Sequence, residues 1–335
     1  MLPPVSICLP VFNGEDLVGR AVRSALSQEY SNTEIVIVDD ASTDRTVDAL
    51  REEFGDRIRL FRNAERSGQA KTTNATIGLA GGDFIKFLHH DDYVEPRCVS
   101  RMVETLLRHP STGMVFSRRR VELAPEVGDV DDWVSRYRDV HLGFDSLQEF
   151  NPGPRIFQQL LANDLRDNWI GEPVCVMVRR QCLRQVGCFA LHVGSTLDLD
   201  LWLRLAGHYD VAFIDEELAT YRHSPVSNIS SDRLKGEHWL DRLWTLEGLS
   251  AYQELVRRYP YLTELRRRER RMAFRTMARA ILTGKHPPAR TSRWALYAWL
   301  RVQNLIGRSR PFGPAEPSTE GVVAVLEATP AVHNR

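Results

Sequence analysis

Along the first 117 residues, short apolar runs alternate with segments whose apolar positions recur three or four apart. Residues 5–9 are a largely apolar run closed by Pro10, the pattern of a strand buried on both faces. Leu17, Val18, Ala21, Val22, Ala25 and Leu26 then return at helical spacing. A second apolar run, 35–38, ends at Asp39-Asp40. Beyond it the pattern predicts helix over 46–54, strand over 58–61, helix over 71–80, strand over 84–88, helix over 96–108 and strand over 114–116. Strands and helices alternating at this spacing mean βαβ units and a mainly parallel sheet. A less regular stretch, 118–170, is broken at Pro125, Gly128 and Asn151-Pro152-Gly153-Pro154. Strand is expected over 174–178, helix over 198–206 and strand over 211–214. Residues 231–310 read as a basic helical region and 311–335 as a loose tail.

In open α/β sheets, ligands sit at the carboxyl ends of the strands. Three predicted strand ends carry polar clusters: Pro10-Val11-Phe12-Asn13, Asp39-Asp40-Ala41-Ser42 and His89-His90-Asp91-Asp92. No G-x-G-x-x-G and no P-loop motif follows a strand, which disfavours a dinucleotide fold or a P-loop NTPase. The three clusters together suit a nucleoside diphosphate. Phe12 offers a face to a base, and Asp40 an acceptor for a ring N–H. Asp91 offers a ligand for Mg²⁺ or Mn²⁺ against the diphosphate. Taken singly, the acidic runs read equally well as turns that cap the helices after them.

Composition narrows the class. Of 335 residues, 43% are apolar and 26% charged, which excludes a disordered, collagenous or coiled-coil chain. Lys+Arg and Asp+Glu are both 44, so global charge gives no argument for nucleic acid. The balance is uneven along the chain: residues 231–335 hold 19 basic and 10 acidic residues. Residues 266–310 carry thirteen Lys and Arg against Glu269 alone, with Trp294, Tyr297 and Trp299 interleaved. Such a region reads as a helix lying on an anionic membrane surface. The preferred reading is a solvated Arg-rich helix pair packed on the rest of the chain or on a second subunit. The five cysteines form no CxxC, and a reducing cytoplasm is the expected setting. The N-terminus lacks the pattern of a signal peptide, and no apolar stretch is long enough to span a membrane.

The blocks from Val5 to Glu15, from Ser24 to Gln28 and from Glu34 to Asp44 resemble the family-2 glycosyltransferases. The match continues through Gly81-Gly82-Asp83 to Asp91-Asp92 and Pro96, and through the run from Leu197 to Leu205. It covers roughly residues 3–230. The resemblance implies a GT-A fold, with a nucleotide-sugar half (1–117) and an acceptor half (118–230), and inverting transfer from a nucleotide sugar. By the family pattern Pro10, Phe12, Asn13 and Glu15 surround the base, and Asp40 reads it. Asp91 binds the metal and Asp198 is the general base. Arg222 lies on a loop that closes on the diphosphate. Lys71 and Asn74 pass near the nucleotide, as does His90.

One departure is His89, which stands where the family usually has the first Asp of its D-x-D-D element. Histidine there hydrogen-bonds a ribose or ligates a metal, or else packs against the sheet. Ser195, three residues before Asp198, gives that helix a capping-box-like start as well. On the acceptor side, Trp169 is either a stacking surface for a sugar or a core tryptophan. Glu172 either touches an acceptor hydroxyl or caps a turn. The implied partners are a UDP- or dTDP-sugar and a saccharide or lipid-linked saccharide acceptor. The alternatives are a nucleotide-sugar-binding protein that has lost turnover, and a nucleotidyltransferase. The latter would want a Gly- and Arg-rich loop after the first strand.

Overall fold

The apolar run at the N-terminus becomes the centre of a sheet. In a computed structural model describing residues 2–125, 137–224, 238–282 and 315–326, all seven residues of β1 (Val5–Val11) are buried. Helices cover both faces of such a strand, so it carries no polar alternation. The remaining strands are β2 (Thr33–Asp39), β3 (Arg59–Asn63), β4 (Phe84–Phe87), β5 (Tyr93–Val94), β6 (Thr112–Leu123), β7 (Phe150–Asn151), β8 (Val176–Arg179), β9 (Asp210–His223) and β10 (Val322–Leu326). Their order is β10-β3-β2-β1-β4-β8-β6-β9-β5, with β7 on β9. The helices are α1 (Val18–Leu26), α2 (Thr46–Phe54), α3 (Gln69–Leu79), α4 (Cys98–Arg108), α5 (Gly153–Ala162), α6 (Arg180–Val186), α7 (Leu197–His208), α8 (His238–Leu249), α9 (Gln253–Arg258) and α10 (Pro260–Leu282).

Register places the site. β1 runs parallel to β2, with Val11 opposite Asp39, and parallel to β4, with Cys8 opposite Phe87. The segments after β1, β2 and β4 therefore leave one edge of the sheet side by side. β8 then enters antiparallel between β4 and β6, so the second half of the sheet is mixed rather than parallel. β6 and β9 run on together in parallel as far as Leu123 and His223, through three irregularities. β9 also pairs antiparallel with β5, which brings Thr220 opposite Tyr93, directly after Asp91-Asp92.

Two expectations are corrected. The tail expected from 311 is not loose throughout, because Val322–Leu326 pairs antiparallel with β3 and closes that edge. Ala315 also bridges to Cys188. An apolar Val-Val-Ala-Val-Leu segment beside an open sheet edge gains backbone hydrogen bonds by docking there. The capping box at Ser195 does not form. Thr196 is the N-cap residue and makes no side-chain cap bond, while the Ser195 hydroxyl is given to Asp241. The expected boundary at 230/231 and the aromatic residues between 294 and 299 lie outside the described residues. All five cysteines are buried free thiols.

Candidate active site

The loops after β1 and β2 are stitched into one frame. Asn13 has φ 47°, and its N–H donates to Ser42 Oγ at 2.9 Å while its Oδ1 accepts the Thr43 N–H at 2.9 Å. The Gly14 N–H donates to Thr46 Oγ1 at 2.8 Å, and the Glu15 carboxylate accepts the Arg45 N–H at 2.7 Å. Asp40 is buried beneath this frame. Its Oδ1 accepts Ser67 N–H at 2.8 Å, Ser67 Oγ–H at 3.0 Å and Asn63 Nδ2–H at 2.7 Å, and its Oδ2 accepts Gly68 N–H at 2.9 Å. Burial alone would raise its pKa, but these donors outweigh burial and the net shift is downward. Asp40 is thus an ionised acceptor. Oδ2, with one donor against three on Oδ1, has the greater remaining capacity. Phe12 is half-buried, and the Arg66 guanidinium lies 4.0 Å above its ring.

The loop after β4 rests on that frame. A Cβ on Gly14 would stand 2.8 Å from His90 Cδ2, so only glycine lets the imidazole sit there. Asp91 is half-buried and Asp92 fully buried. Asp92 Oδ1 accepts the Arg222 N–H at 2.9 Å. Its Oδ2 is a buried oxygen without a hydrogen-bond partner, and His89 Nδ1 lies 3.9 Å from it. Burial, then the neighbouring Asp91 charge, pushes the Asp92 pKa up; burial pushes the His89 pKa down, leaving a neutral imidazole. Lys86 lies inside the sheet below, donating to the backbone oxygens of Val174 and Phe87.

A second set of groups comes from the acceptor half. Glu172 pairs with Arg119 at 2.8 Å, and Arg119 also donates to the Tyr137 carbonyl. Asp198 is the second residue of α7 and half-buried. Burial, then the Glu172 charge, raises its pKa from 3.8 to about 7. Glu172 also raises the pKa of Asp92 and of the Tyr221 phenol, on which Asp91 acts too. The Glu172 charge thus acts on Asp198, Asp92 and Tyr221, and the Asp91 charge on Asp92 and Tyr221. α7 is held rigidly there. Arg204 pairs with Asp200 through two contacts of 2.9 and 2.6 Å and donates to the carbonyls of Val186, Gly187 and Cys188. Trp202 Nε1–H donates to Gly171 O at 3.1 Å.

Residues 6–187 match the model of the family described as glycosyl transferase family 2, a little over half of the chain. The chain belongs to that family. An uncharacterized protein of Mycobacterium tuberculosis is 36% identical over 245 residues, covering 72% of this chain and 73% of that protein. Chondroitin synthase of Pasteurella multocida is 32% identical over 121 residues, which span only 12% of that enzyme. Among solved structures, S. aureus TarS bound to UDP-GlcNAc superposes with TM-score 0.54 at 17% identity, covering 72% of this chain and 66% of that one. The mannosyltransferase PcManGT from Pyrobaculum calidifontis, in complex with GDP-Man and Mn²⁺, gives TM-score 0.53 at 19% identity and covers 93% of this chain and 82% of that one. At these identities the structural likeness speaks for the GT-A fold. Family membership makes the protein a glycosyltransferase.

Within this GT-A domain, the residues expected around the donor are placed as follows. Asn13 and Glu15 give their polar atoms to the loop frame, as described. Pro10 lies within β1, opposite Val38. The Asn74 amide is closed on the backbone of Phe189, at 2.8 and 2.9 Å, and is buried rather than presented at a pocket. Arg222 lies on strand β9, not on a loop, with its guanidinium 4.0 Å from Glu122. Lys71 is exposed on α3. Trp169 meets Phe144 edge-on at 5.4 Å, and Gly143 is pressed against its indole. Arg66, Arg119 and Tyr221 were missed. The signal for Arg119 lies in the 118–120 triplet, where a strand's alternation turns its middle residue inward.

Among the described residues, no group of three or more His, Cys, Asp or Glu side chains is arranged to hold a metal ion. Mg²⁺ in phosphate chemistry needs fewer, since one or two carboxylates suffice when the substrate's phosphates complete the shell. Asp91, beside the unpartnered Asp92 Oδ2, fits that smaller requirement.

Proposed function

We propose that this glycosyltransferase moves a sugar from a UDP- or dTDP-sugar to a hydroxyl of a saccharide or lipid-linked saccharide, with inversion at the anomeric carbon. The observation that carries the reading is the register of β1, β2 and β4, which brings the segments holding Phe12, Asp40 and Asp91 out at one sheet edge; the charge of Glu172, which acts on both Asp92 and Asp198, supports it. The Asp40 carboxylate, ionised and with capacity left on Oδ2, suits the ring N–H of uracil or thymine. Asp91 would hold a divalent cation, Mg²⁺ or Mn²⁺, with His89 and Asp92 beside it, and the ion would offset diphosphate charge. Asp198 takes the proton of the acceptor hydroxyl as the new C–O bond forms on one face of the sugar. On the other face the bond to the diphosphate breaks, and its electron pair leaves with the nucleotide. A raised pKa near 7 makes Asp198 a stronger base than an ordinary carboxylate. Arg222 and Lys71 would offset the charge of the leaving nucleoside diphosphate.

The test is thermal stabilisation by UDP, dTDP and GDP, each with Mn²⁺, Mg²⁺ or EDTA. A ligand bound only to the folded state at 100 times its Kd adds about 2.7 kcal/mol. A shift with UDP or dTDP that needs metal and is lost in Asp91→Ala supports the reading. A shift that persists in EDTA rules out the cation at Asp91.

The basic face supports a peripheral contact with an anionic membrane. No helix among the described residues is long and apolar enough to cross one. On α10, Arg267, Arg271 and Arg275 are exposed at four-residue spacing, one face of the helix. Co-sedimentation with anionic but not neutral vesicles, weakened by salt, is the expected result.

A further inference from the structure

Asp241 lies on α8, outside the stretch that matches the family, and is fully buried. Its Oδ1 accepts the Gly194 N–H at 3.2 Å, and its Oδ2 accepts the Ser195 N–H at 2.9 Å and the Ser195 hydroxyl at 2.8 Å. One turn further along α8, Thr245 Oγ1 meets Thr196 Oγ1 at 2.9 Å. The approach is close: a Cβ on Gly194 would stand 2.9 Å from both carboxylate oxygens of Asp241. Residues 194, 195 and 196 are thus gripped in succession by two side chains of α8. Asp198 follows two residues later, and its helix has no side-chain cap of its own.

We propose that Asp241 is a positioning residue for sugar transfer, fixing the first turn of α7 so that the Asp198 carboxylate stays aimed at the acceptor hydroxyl. The proposal rests on Asp198 being the general base. Three donors on one buried carboxylate make a charge-assisted anchor, stronger than a neutral cap. A displacement of about 1 Å at a reacting group can cost about 100-fold in rate. α8 is then part of the catalytic unit rather than an appendage to it.

The experiment measures nucleotide release from a panel of UDP- and dTDP-hexoses by wild type, Asp198→Asn, Asp241→Ala, Asp241→Asn and Ser195→Ala. In Asp241→Ala, kcat falls about 100-fold while donor KM stays within about twofold, because the donor site is elsewhere. Asp241→Asn keeps one acceptor oxygen and recovers part of the rate; Ser195→Ala, which loses only the hydroxyl bond, stays nearer to wild type. If Asp198→Asn is inactive while both Asp241 variants keep the wild-type kcat, the positioning role is overturned and the reading of Asp198 stands. If Asp198→Asn turns over normally, that reading fails and the positioning role with it. Amide exchange over residues 194–200 needs no donor. It quickens about tenfold or more in Asp241→Ala with β1 to β4 unchanged, and equal exchange in the two proteins overturns the proposal.

Discussion

Asp198 is the residue whose environment makes the sharpest demand. Its pKa of about 7 means that turnover rises with pH through that value, since the base must start ionised. The acid limb of kcat should therefore fall near pH 7. Glu172→Gln removes the second cause of the shift and moves the limb to lower pH, which a pH–rate profile of nucleotide release will show. Asp198→Asn should cost about 10²–10⁴-fold in kcat. The same shift has a sign for stability. Between 3.8 and about 7, the folded protein holds a proton that the unfolded chain has lost. The stability Asp198 contributes is therefore complete below the lower value and lost as pH rises through the upper one. Asp198→Asn should melt with wild type at pH 4 and about 2–4 °C above it at pH 8, on the order of 1 kcal/mol. Calorimetry at the two pH values checks this.

At the scale of elements, α7 shows why a sequence can reveal a helix and hide its surroundings. Leu197, Leu199, Leu201, Leu203 and Leu205 alternate with Asp198, Asp200, Trp202 and Arg204 at a spacing of two, yet the segment is a helix buried almost all round. It tolerates Asp200 and Arg204 inside because they pair with each other and with three carbonyls. Asp200→Ala leaves the Arg204 cation buried and half-partnered, a loss of about 3–5 kcal/mol that a urea midpoint will register. Strand β1 and the part of β2 over residues 35–38 were legible because both faces are buried, so their apolar runs are nearly continuous. β6 and β9 were legible only to Phe116 and Ile214. Beyond those points the strands carry Arg118, Arg120, Asp215 and Glu217, which pair across the ladder. Charged cross-strand pairs leave no apolar signature. The strand ends Asp40 and Asp91 could be picked out, but not the donors around Asp40 or the packing of Asn74 on Phe189. Those contacts join residues 23 to 115 positions apart.

For the whole molecule, the decisive question is where the catalytic unit ends. The family match stops at residue 187, and the charge change at 231 suggests a boundary between a catalytic domain and a basic extension. Packing argues otherwise. Leu243, Trp244, Leu246, Leu249, Tyr252 and Leu255 are buried with the main core, and the Leu255 side chain lies against Gly207 of α7. Tyr252 donates to the Val186 carbonyl at 2.6 Å, the same carbonyl that Arg204 holds. Even the Arg-rich helix α10 turns part of its charge inward, with Arg270 on buried Glu247 and Arg242 on buried Glu269. Each buried large apolar side chain contributes about 1.5–3 kcal/mol, so losing six costs about 9–18 kcal/mol, as much as the whole 5–15 kcal/mol by which a domain is usually stable. A chain cut at residue 230 should therefore fail to give a cooperative melt and should expose apolar surface to dye. A cut at 282, which keeps α8 to α10, should melt as one transition. If the 230-residue piece melts cooperatively within about 5 °C of the full chain, α8 is not part of the folded catalytic unit, and the grip of Asp241 on the start of α7 loses its structural basis.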